Sequence, residues 1–444
     1  MSITDLDSLR ARFASHGCTA ILSKKLAAND NSKNQIYLGG NFEALAPLRH
    51  GRINIEDDQP KASLDLYWLS ETGGAEPAVH SQLVLYTQYP EVRLSGFLSG
   101  CMSAPSSVLS KRLAGRRLVL GLRADGRIFA WACDPGHQVA VELNALDAAG
   151  STSSVAVFGQ VTLSPGAVAS PEQILLSALG DLHRRGFVKG RRLLADGSSV
   201  ATSYQNAGGY TLEAEMGVAA NSAKAPDFQG WELKSCTVPA FDRPQMSKRV
   251  TLITPEPTGG VYLEQGINIF MDRYGYADTR GVPDRLNFGG QFRVGTRNAR
   301  TGLTLRLNGF SWSKKANRPT IDLKTGALIL ADDSEATAAL WRFTDLLDHW
   351  NRKHAQAAYV PMVRHETDDG AEFKYGDRIL LGQGTDFLLF LRALELGKVV
   401  YDPGIKLEAA SSDKPKVKKR NQFRVSFRDL SCLYRRFGEH QTPP

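Results

Sequence analysis

The residues best placed to do chemistry lie within 225–235, APDFQGWELKS. In an extended strand alternate side chains share a face, so Glu232 and Lys234 point together while Trp231 and Leu233 point the other way. The apolar pair can enter a core and leave a carboxylate and an ammonium facing solvent or substrate. Asp227 stands five residues before Glu232, across a Gln229-Gly230 bend that can bring the two carboxylates close. Adjacent carboxylates repel unless a cation lies between them, and hard oxygen ligands select Mg²⁺, which shares its shell with phosphate oxygens. Lys234 can orient a water and stabilise negative charge on a reacting phosphate. The set suits phosphodiester hydrolysis. D-x4-E-x-K is a short pattern, however, and the plain alternative is a surface strand bearing a Glu–Lys pair.

These residues need a scaffold, and the chain divides into two halves that can supply one. Residues 20–145 read mostly as β, with short runs at 64–69, 82–87, 91–98 and 117–122 separated by turn residues. The clearest unit is a hairpin, RRLVLGL then RADG then RIFAWA, where Asp125-Gly126 tolerates the positive φ of a tight turn. Strands at this spacing predict a small barrel or sandwich. Residues 151–169 are small and nearly uncharged, as a linker or a loose edge strand would be. A helix then opens on Ser170 as cap, Pro171 at the first position and Gln173 completing a capping box, and it ends at Gly186. Beyond it, 228–235, 260–270 and 302–310 read as strands, and 335–353 and 385–396 as helices, which predicts a mixed α/β domain. The expected division is 1–150, a linker at 151–169, and 170–444.

Composition bounds the partner. With 42% hydrophobic and 23% charged residues the chain is globular. The five cysteines form no CxxC pair and the nine histidines no ligand set, so neither a zinc site nor a disulfide scaffold is expected. No stretch is apolar enough to span a bilayer and the N-terminus carries no signal-like run, so a cytoplasmic setting is expected. The net charge of +8 is unevenly spread. Residues 1–160 hold 15 basic and 15 acidic side chains, whereas 411–437 alone carries nine basic against two acidic. A cationic block of that kind suits an anionic polymer. Within it Phe423, Val425 and Phe427 alternate with Arg424, Ser426 and Arg428, a strand with an apolar back and a cationic front. Lys416, Lys418 and Lys419 can neutralise phosphates, and Arg420, Asn421, Gln422 or Arg424 can read bases, with Asp402 just upstream. For 414–419 a solvated tail is an equal reading. Trp341 and Trp350 read as helix packing.

Upstream of the motif, GGYTLEAEMG places Glu213 fourteen residues before Asp227. GGYTLEAEMG followed by APDFQGWELKS resembles the signature of the MvaI/BcnI restriction endonucleases and of their relative, the MutH mismatch-repair nicking enzyme, all PD-(D/E)xK nucleases. The resemblance spans about 170–437. It implies a restriction-endonuclease-like α/β domain whose active site comprises Glu213, Asp227, Glu232 and Lys234, with Asp227, Glu232 and Glu213 holding Mg²⁺. It implies DNA contacts among Asp402, Lys418, Lys419, Arg420, Gln422 and Arg424. In the N-terminal half, SKKLAAND at 23–30 and YPEVRLSGF at 89–97 resemble the two DNA-gripping arms of EcoRII-type effector domains, all-β B3-like pseudobarrels. Lys24, Lys25, Asn29, Asp30, Glu91 and Arg93 are then the implied contacts. Against this, Asn-Asp-Asn-Ser is a common turn string and Glu-x-Arg a common surface ion pair.

Together the resemblances imply a monomeric type IIE restriction endonuclease. It would cleave double-stranded DNA at CC(A/T)GG with Mg²⁺ while binding a second copy of the site in the N-terminal domain. Two other readings stand beside it: a MutH-like strand-nicking repair enzyme, and a non-catalytic B3-like DNA-binding regulator.

Overall fold

The computed structural model describes residues 2–28, 35–70, 73–88, 90–163, 170–204, 206–219, 228–242, 249–313, 315, 318–351 and 356–444. The N-terminal half is built on two sheets. The larger has seven strands in the order Ser153–Val155, Phe158–Val161, Cys18–Lys25, Arg117–Arg123, Ile128–Cys133, Leu66–Leu69 and Ala75–Pro77. The smaller runs Gln35–Tyr37, Glu91–Ser95, Gln82–Tyr86, Gln59–Ser63 and Asn54–Glu56. Alternation along the strand Arg117–Arg123 shows how they pack. Leu118 and Leu120 face the smaller sheet with Ile36, Leu83, Leu85 and Leu94, while Val119 faces a separate core. That second core is closed by Leu9 and Phe13 of the helix Leu6–Ser15 and Val139 and Leu143 of the helix Gln138–Ala148. Both sheets have open strand orders among the described residues, so the expected barrel is not closed there.

The anticipated hairpin is present: Arg117–Arg123 pairs antiparallel with Ile128–Cys133 around Gly126, whose φ is 101°. Of the two readings of 151–169, linker or edge strand, part of the stretch takes the second. Ser153–Val155 and Phe158–Val161 form a hairpin on the edge of the larger sheet, because Val155, Phe158 and Val161 bury their side chains there. Residues 164–169 lie outside the described set.

The C-terminal half centres on the strands Val188–Lys189, Gly370–Tyr375, Gln356–Thr367, Arg378–Gln383 and Arg436–Gln441. Glu232–Thr237 adds in parallel to Gln356–Thr367 inside this otherwise antiparallel sheet. Two helices, Pro171–Arg184 and Ala207–Glu215, pack on it through Leu175, Leu179, Leu182 and Leu212 against Trp231, Val360, Phe373 and Tyr375. The first helix carries the expected capping box, Ser170 with Gln173. A second lobe holds the sheet Arg249–Ile253, Phe423–Ser426 and Val399–Tyr401. Its core is aromatic, with Phe270, Phe292, Trp341, Trp350, Phe390, Tyr401 and Phe423 in one cluster.

Two expectations fail in this lobe. Residues 260–270 form the helices Val261–Glu264 and Ile267–Tyr274 instead of a strand, each entered through a positive-φ glycine, Gly260 and Gly266. Residues 335–353 split into the strand Thr337–Arg342 and the helix Phe343–Asn351. Pairing with Ala327–Ala331 overrides the helix propensity of the Ala-rich half. Trp341 and Trp350 are fully buried, in the packing role foreseen for them, although Trp341 sits on the strand. The halves meet through Arg52–Asp345 at 3.0 Å, Arg435–Glu43 at 3.4 Å and Lys324–Asp58. No disulfide links the five cysteines. No helix among the described residues is long and apolar enough to cross a membrane.

Candidate active site

The strand Glu232–Thr237 presents its residues as alternation requires. Trp231 and Leu233 enter the core, and Lys234 Nζ donates to Glu232 Oε1 at 3.1 Å on the other face. The two side chains are only 15% and 11% exposed, so the pair is largely desolvated. Ahead of it the bend exists: Gln229 and Gly230 have φ of 49° and 84°, and Phe228 and Trp231 exchange backbone hydrogen bonds of 3.0 and 2.8 Å. Two successive positive-φ residues make the tight turn that brings preceding residues back beside the strand. Asp227, the residue this turn would return, lies outside the described residues.

The helix Ala207–Glu215 decides between the two glutamates of TLEAE. Asn206, Gly209, Tyr210 and Glu213 recur at i, i+3, i+4 and i+7 and so share one face. Ala207, Gly208, Thr211, Leu212 and Ala214 are buried on the others. Asn206 and Gly209 line an open cleft of about 400 Å³ together with Lys234, which puts Glu213 on the cleft side of the helix. Glu215 points away and is 5% exposed, held by Arg185 at 2.7 Å and Arg191 at 2.7 Å. Tyr375 Oη donates to the Gly208 carbonyl at 2.7 Å and fixes the helix on the sheet. Behind the pair, Tyr359, paired in register with Lys234, shares a 2.7 Å hydroxyl contact with Tyr434. Burial pushes both phenols well above their ordinary range, which keeps them neutral beside Glu232.

The opposite wall of the cleft carries Arg249, Thr251 and Phe427. Arg249–Ile253 pairs with Phe423–Ser426, whose alternation buries Phe423 and Val425 and turns Arg424 outward, as read from the sequence. Phe427 departs from that strand, opening a 3₁₀ turn. Arg424 donates to Asp402 at 3.0 Å and to the Arg249 carbonyl at 3.2 Å. These two predicted residues are therefore joined, and they adjoin a third that sequence reasoning missed. Arg249 Nη2 donates to Gln291 at 2.7 Å, while its Nη1 and the Arg424 Nε are buried with no acceptor among the described residues. Burial, opposed by Asp402 and aided by Arg293 and Arg424, lowers the Arg249 pKa, the mark of cations crowded in a desolvated wall.

The other candidates are more dispersed. Lys418 pairs with Glu408 at 3.1 Å, on a strand, Lys416–Lys418, that replaces the solvated tail. Lys419 lies 3.7 Å from Glu256 and over the Tyr262 ring. Arg420 is exposed, and Gln422 accepts from Asp402 through its backbone at 2.8 Å. Asn421 is corrected: it is 1% exposed and bonded to Tyr401, Glu256 and Tyr262, so it holds the fold together and cannot reach a base. In the N-terminal half Lys25 is exposed, but Lys24 is 9% exposed and buried in the sheet, pointing to the other face as its neighbour in a strand must. Arg93 donates to Glu91 at 2.8 Å and to Gln35 at 3.2 Å and stacks over Tyr86. Asn29 and Asp30 lie outside the described residues. Among those described, no group of three His, Cys, Asp or Glu side chains gathers at a metal-binding spacing. Lys234 engages one oxygen of Glu232, which leaves Oε2 as a hard ligand for a cation that Asp227 and Glu213 would complete.

No curated protein matches the chain. Among solved structures, the restriction endonuclease MvaI in complex with cognate DNA is 17% identical, covering 60% of this chain and 96% of that one with a TM-score of 0.43. MvaI without DNA gives 17% identity, 60% and 97% coverage and a TM-score of 0.33. The MvaI/BcnI restriction endonuclease family model matches residues 176–434, a span that contains Glu213, Glu232, Lys234, Arg249, Asp402 and Arg424. The chain belongs to the MvaI/BcnI restriction endonuclease family.

Proposed function

We propose that the chain is a type II restriction endonuclease that hydrolyses phosphodiester bonds of double-stranded DNA with Mg²⁺, leaving 5′-phosphate ends. The observation that carries this reading is a cleft lined by Lys234, which is paired with the desolvated Glu232, and by Arg249, whose carbonyl accepts from the Arg424 of the Asp402–Arg424 pair. Glu232, Asp227 and Glu213 supply the oxygens for the ion, which when bound stabilises charge on the scissile phosphate. Lys234, its Nζ fixed by Glu232, orients the attacking water and donates toward the phosphate oxygen where charge grows. Arg249 and Arg424 offer guanidinium donors to the DNA on the facing wall; Lys418, Lys419 and Arg420 add further cations, and Gln422 a neutral amide.

CC(A/T)GG is the proposed site, read by a monomer that cuts the two strands in turn. The N-terminal half is proposed as a B3-like effector module that holds a second copy of the site through Lys25, Arg93 and Glu91. Its two sheets and the exposed position of Lys25 support a DNA-gripping role. Digestion of a plasmid of known sequence with Mg²⁺, followed by sequencing of the ends, tests the reading. Random ends, or nicked circles that are never linearised, would refute it. The effector role is tested by adding short cognate duplexes to a one-site plasmid, where cleavage must accelerate.

A further inference from the structure

The segment 184–192 is unusually basic: Arg184, Arg185, Lys189, Arg191 and Arg192 crowd into nine residues. Four of these cations face carboxylates. Arg184 pairs with Asp181, Lys189 lies 3.5 Å from Asp369, and Arg185 and Arg191 share Glu215. Arg192 has no carboxylate partner among the described residues. Its guanidinium rests on the Tyr210 ring, 5.1 Å from the centroid, and it remains exposed. Tyr210 directly follows Gly209, which lines the cleft, and precedes Glu213 by one turn on the exposed side of the helix Ala207–Glu215. The ring therefore holds, next to a cleft-lining residue, a cation with no carboxylate partner among the described residues.

The support beneath Arg192 is a two-stranded hairpin joined to the helix. Arg191–Leu193 pairs antiparallel with Ser199–Ala201, which sets Arg192 opposite Val200, itself 52% exposed. The strand is tied to the helix by Arg191 N, which donates to Thr211 Oγ1 at 3.1 Å, and the Thr211 hydroxyl is itself held by donating to Ala207 O at 2.8 Å. Glu215 takes the neighbouring Arg191 side chain to the far side of the strand. A pre-positioned arginine, stacked on an aromatic and lacking a counter-ion, suits the bidentate geometry of a phosphate.

We infer that Arg192 is a DNA phosphate clamp on the catalytic side of the cleft, gripping the backbone next to the strand being cut. The inference rests on the nuclease reading above. A phosphate contact carries no sequence information, so its loss weakens all duplexes alike and lowers the salt dependence of binding. One contact fewer reduces the log–log salt slope by about 0.9, so the loss caused by the substitution shrinks about 3.5-fold between 50 and 200 mM salt.

The test measures binding of the full chain in EDTA to two 30-bp duplexes, one containing CCAGG and one without it, across that salt range, for wild type, Arg192→Ala and Arg192→Lys. Arg192→Ala is expected to weaken both duplexes equally with the shallower slope, and Arg192→Lys to recover the slope because it keeps the charge. Melting temperatures of the three proteins accompany the titrations. An unchanged slope for Arg192→Ala overturns the clamp, whether or not affinity falls, because a merely structural role would alter stability without altering counterion release. A loss confined to the CCAGG duplex also overturns it. If wild type itself neither binds nor cuts DNA, the underlying nuclease reading fails instead.

Discussion

Replacing Lys234 by Ala separates the chemistry of the pair from its role in the fold. Lys234 Nζ lies 3.1 Å from Glu232 Oε1, with the side chains 15% and 11% exposed. Removing one member of a fully buried pair costs about 3–5 kcal/mol, because the remaining charge is desolvated without compensation. Here the pair borders an open cleft, and water reaching Glu232 reduces that to about 2–3 kcal/mol. For a domain of this size the matching fall in melting temperature is about 3–5 °C. The loss of a positioned charge donor lowers single-turnover cleavage by about 10²–10³-fold. The double variant Lys234→Ala/Glu232→Gln neutralises the stranded carboxylate and is expected to regain most of the melting temperature while staying inactive. Melting curves, single-turnover cleavage with Mg²⁺ and DNA binding in EDTA, run on all three proteins, give the answer. Wild-type cleavage by Lys234→Ala would falsify the catalytic assignment. An undiminished melting temperature would refute the electrostatic argument, and failure of the double variant to recover would show that the cost lies in packing.

Three further expectations follow from neighbouring contacts. A Cβ on Gly208 would lie 2.1 Å from Met362 Sδ and 3.2 Å from Phe373, so Gly208→Ala must move either the end of the Met362 side chain or the helix that carries Glu213. Overpacking of this kind costs about 1–3 kcal/mol, and kcat should fall with DNA affinity in EDTA unchanged if the helix moves; equal kcat would show that Met362 swings aside and absorbs the methyl. Asp386 accepts from Leu388 N, Leu389 N and Arg435, capping the helix Phe387–Glu395, so Asp386→Ala is expected to lose about 2–4 kcal/mol in urea unfolding. A loss below about 0.5 kcal/mol, the size of an ordinary surface change, would contradict the buried network. Burial, outweighing Arg435, raises the Glu43 carboxyl above its ordinary value of 4.5. The native state then holds the proton longer than the unfolded one, so this contribution is full below the ordinary value and is lost as pH rises through the raised one. Glu43→Gln should flatten that part of the melting temperature's decline from pH 4.5 towards neutrality, and an unchanged profile would reject the assignment.

What could be read in advance was local. Alternation along residues 231–234 placed Glu232 and Lys234 on one face, and a capping box with a first-turn proline set the start of Pro171–Arg184. The unread part depends on distant pairing. Arg249 gains meaning only when its strand meets Phe423–Ser426 and Arg424 reaches Asp402. Asn421 looked like a base reader beside Arg420, yet Tyr262 and Tyr401 enclose it. The Ala-rich run before Trp341 has helix propensity, and only a partner strand makes it extended. Lys24 and Lys25 looked equivalent as letters, but a strand sends neighbours to opposite faces, and one of them is buried.

The parallel pairing of Glu232–Thr237 with Gln356–Thr367 has a consequence for how the protein is made. The ribosome releases the strand bearing Glu232 and Lys234 more than a hundred residues before the strand it must lie against, and the cleft's second wall waits longer still, for Phe423–Ser426. At about 5–20 residues per second, several seconds to tens of seconds separate these events. Throughout that interval the acidic and basic side chains exist without the sheet that aligns them. An interrupted chain that ends before residue 423 lacks the strand that pairs with Arg249–Ile253, and so carries half a cleft.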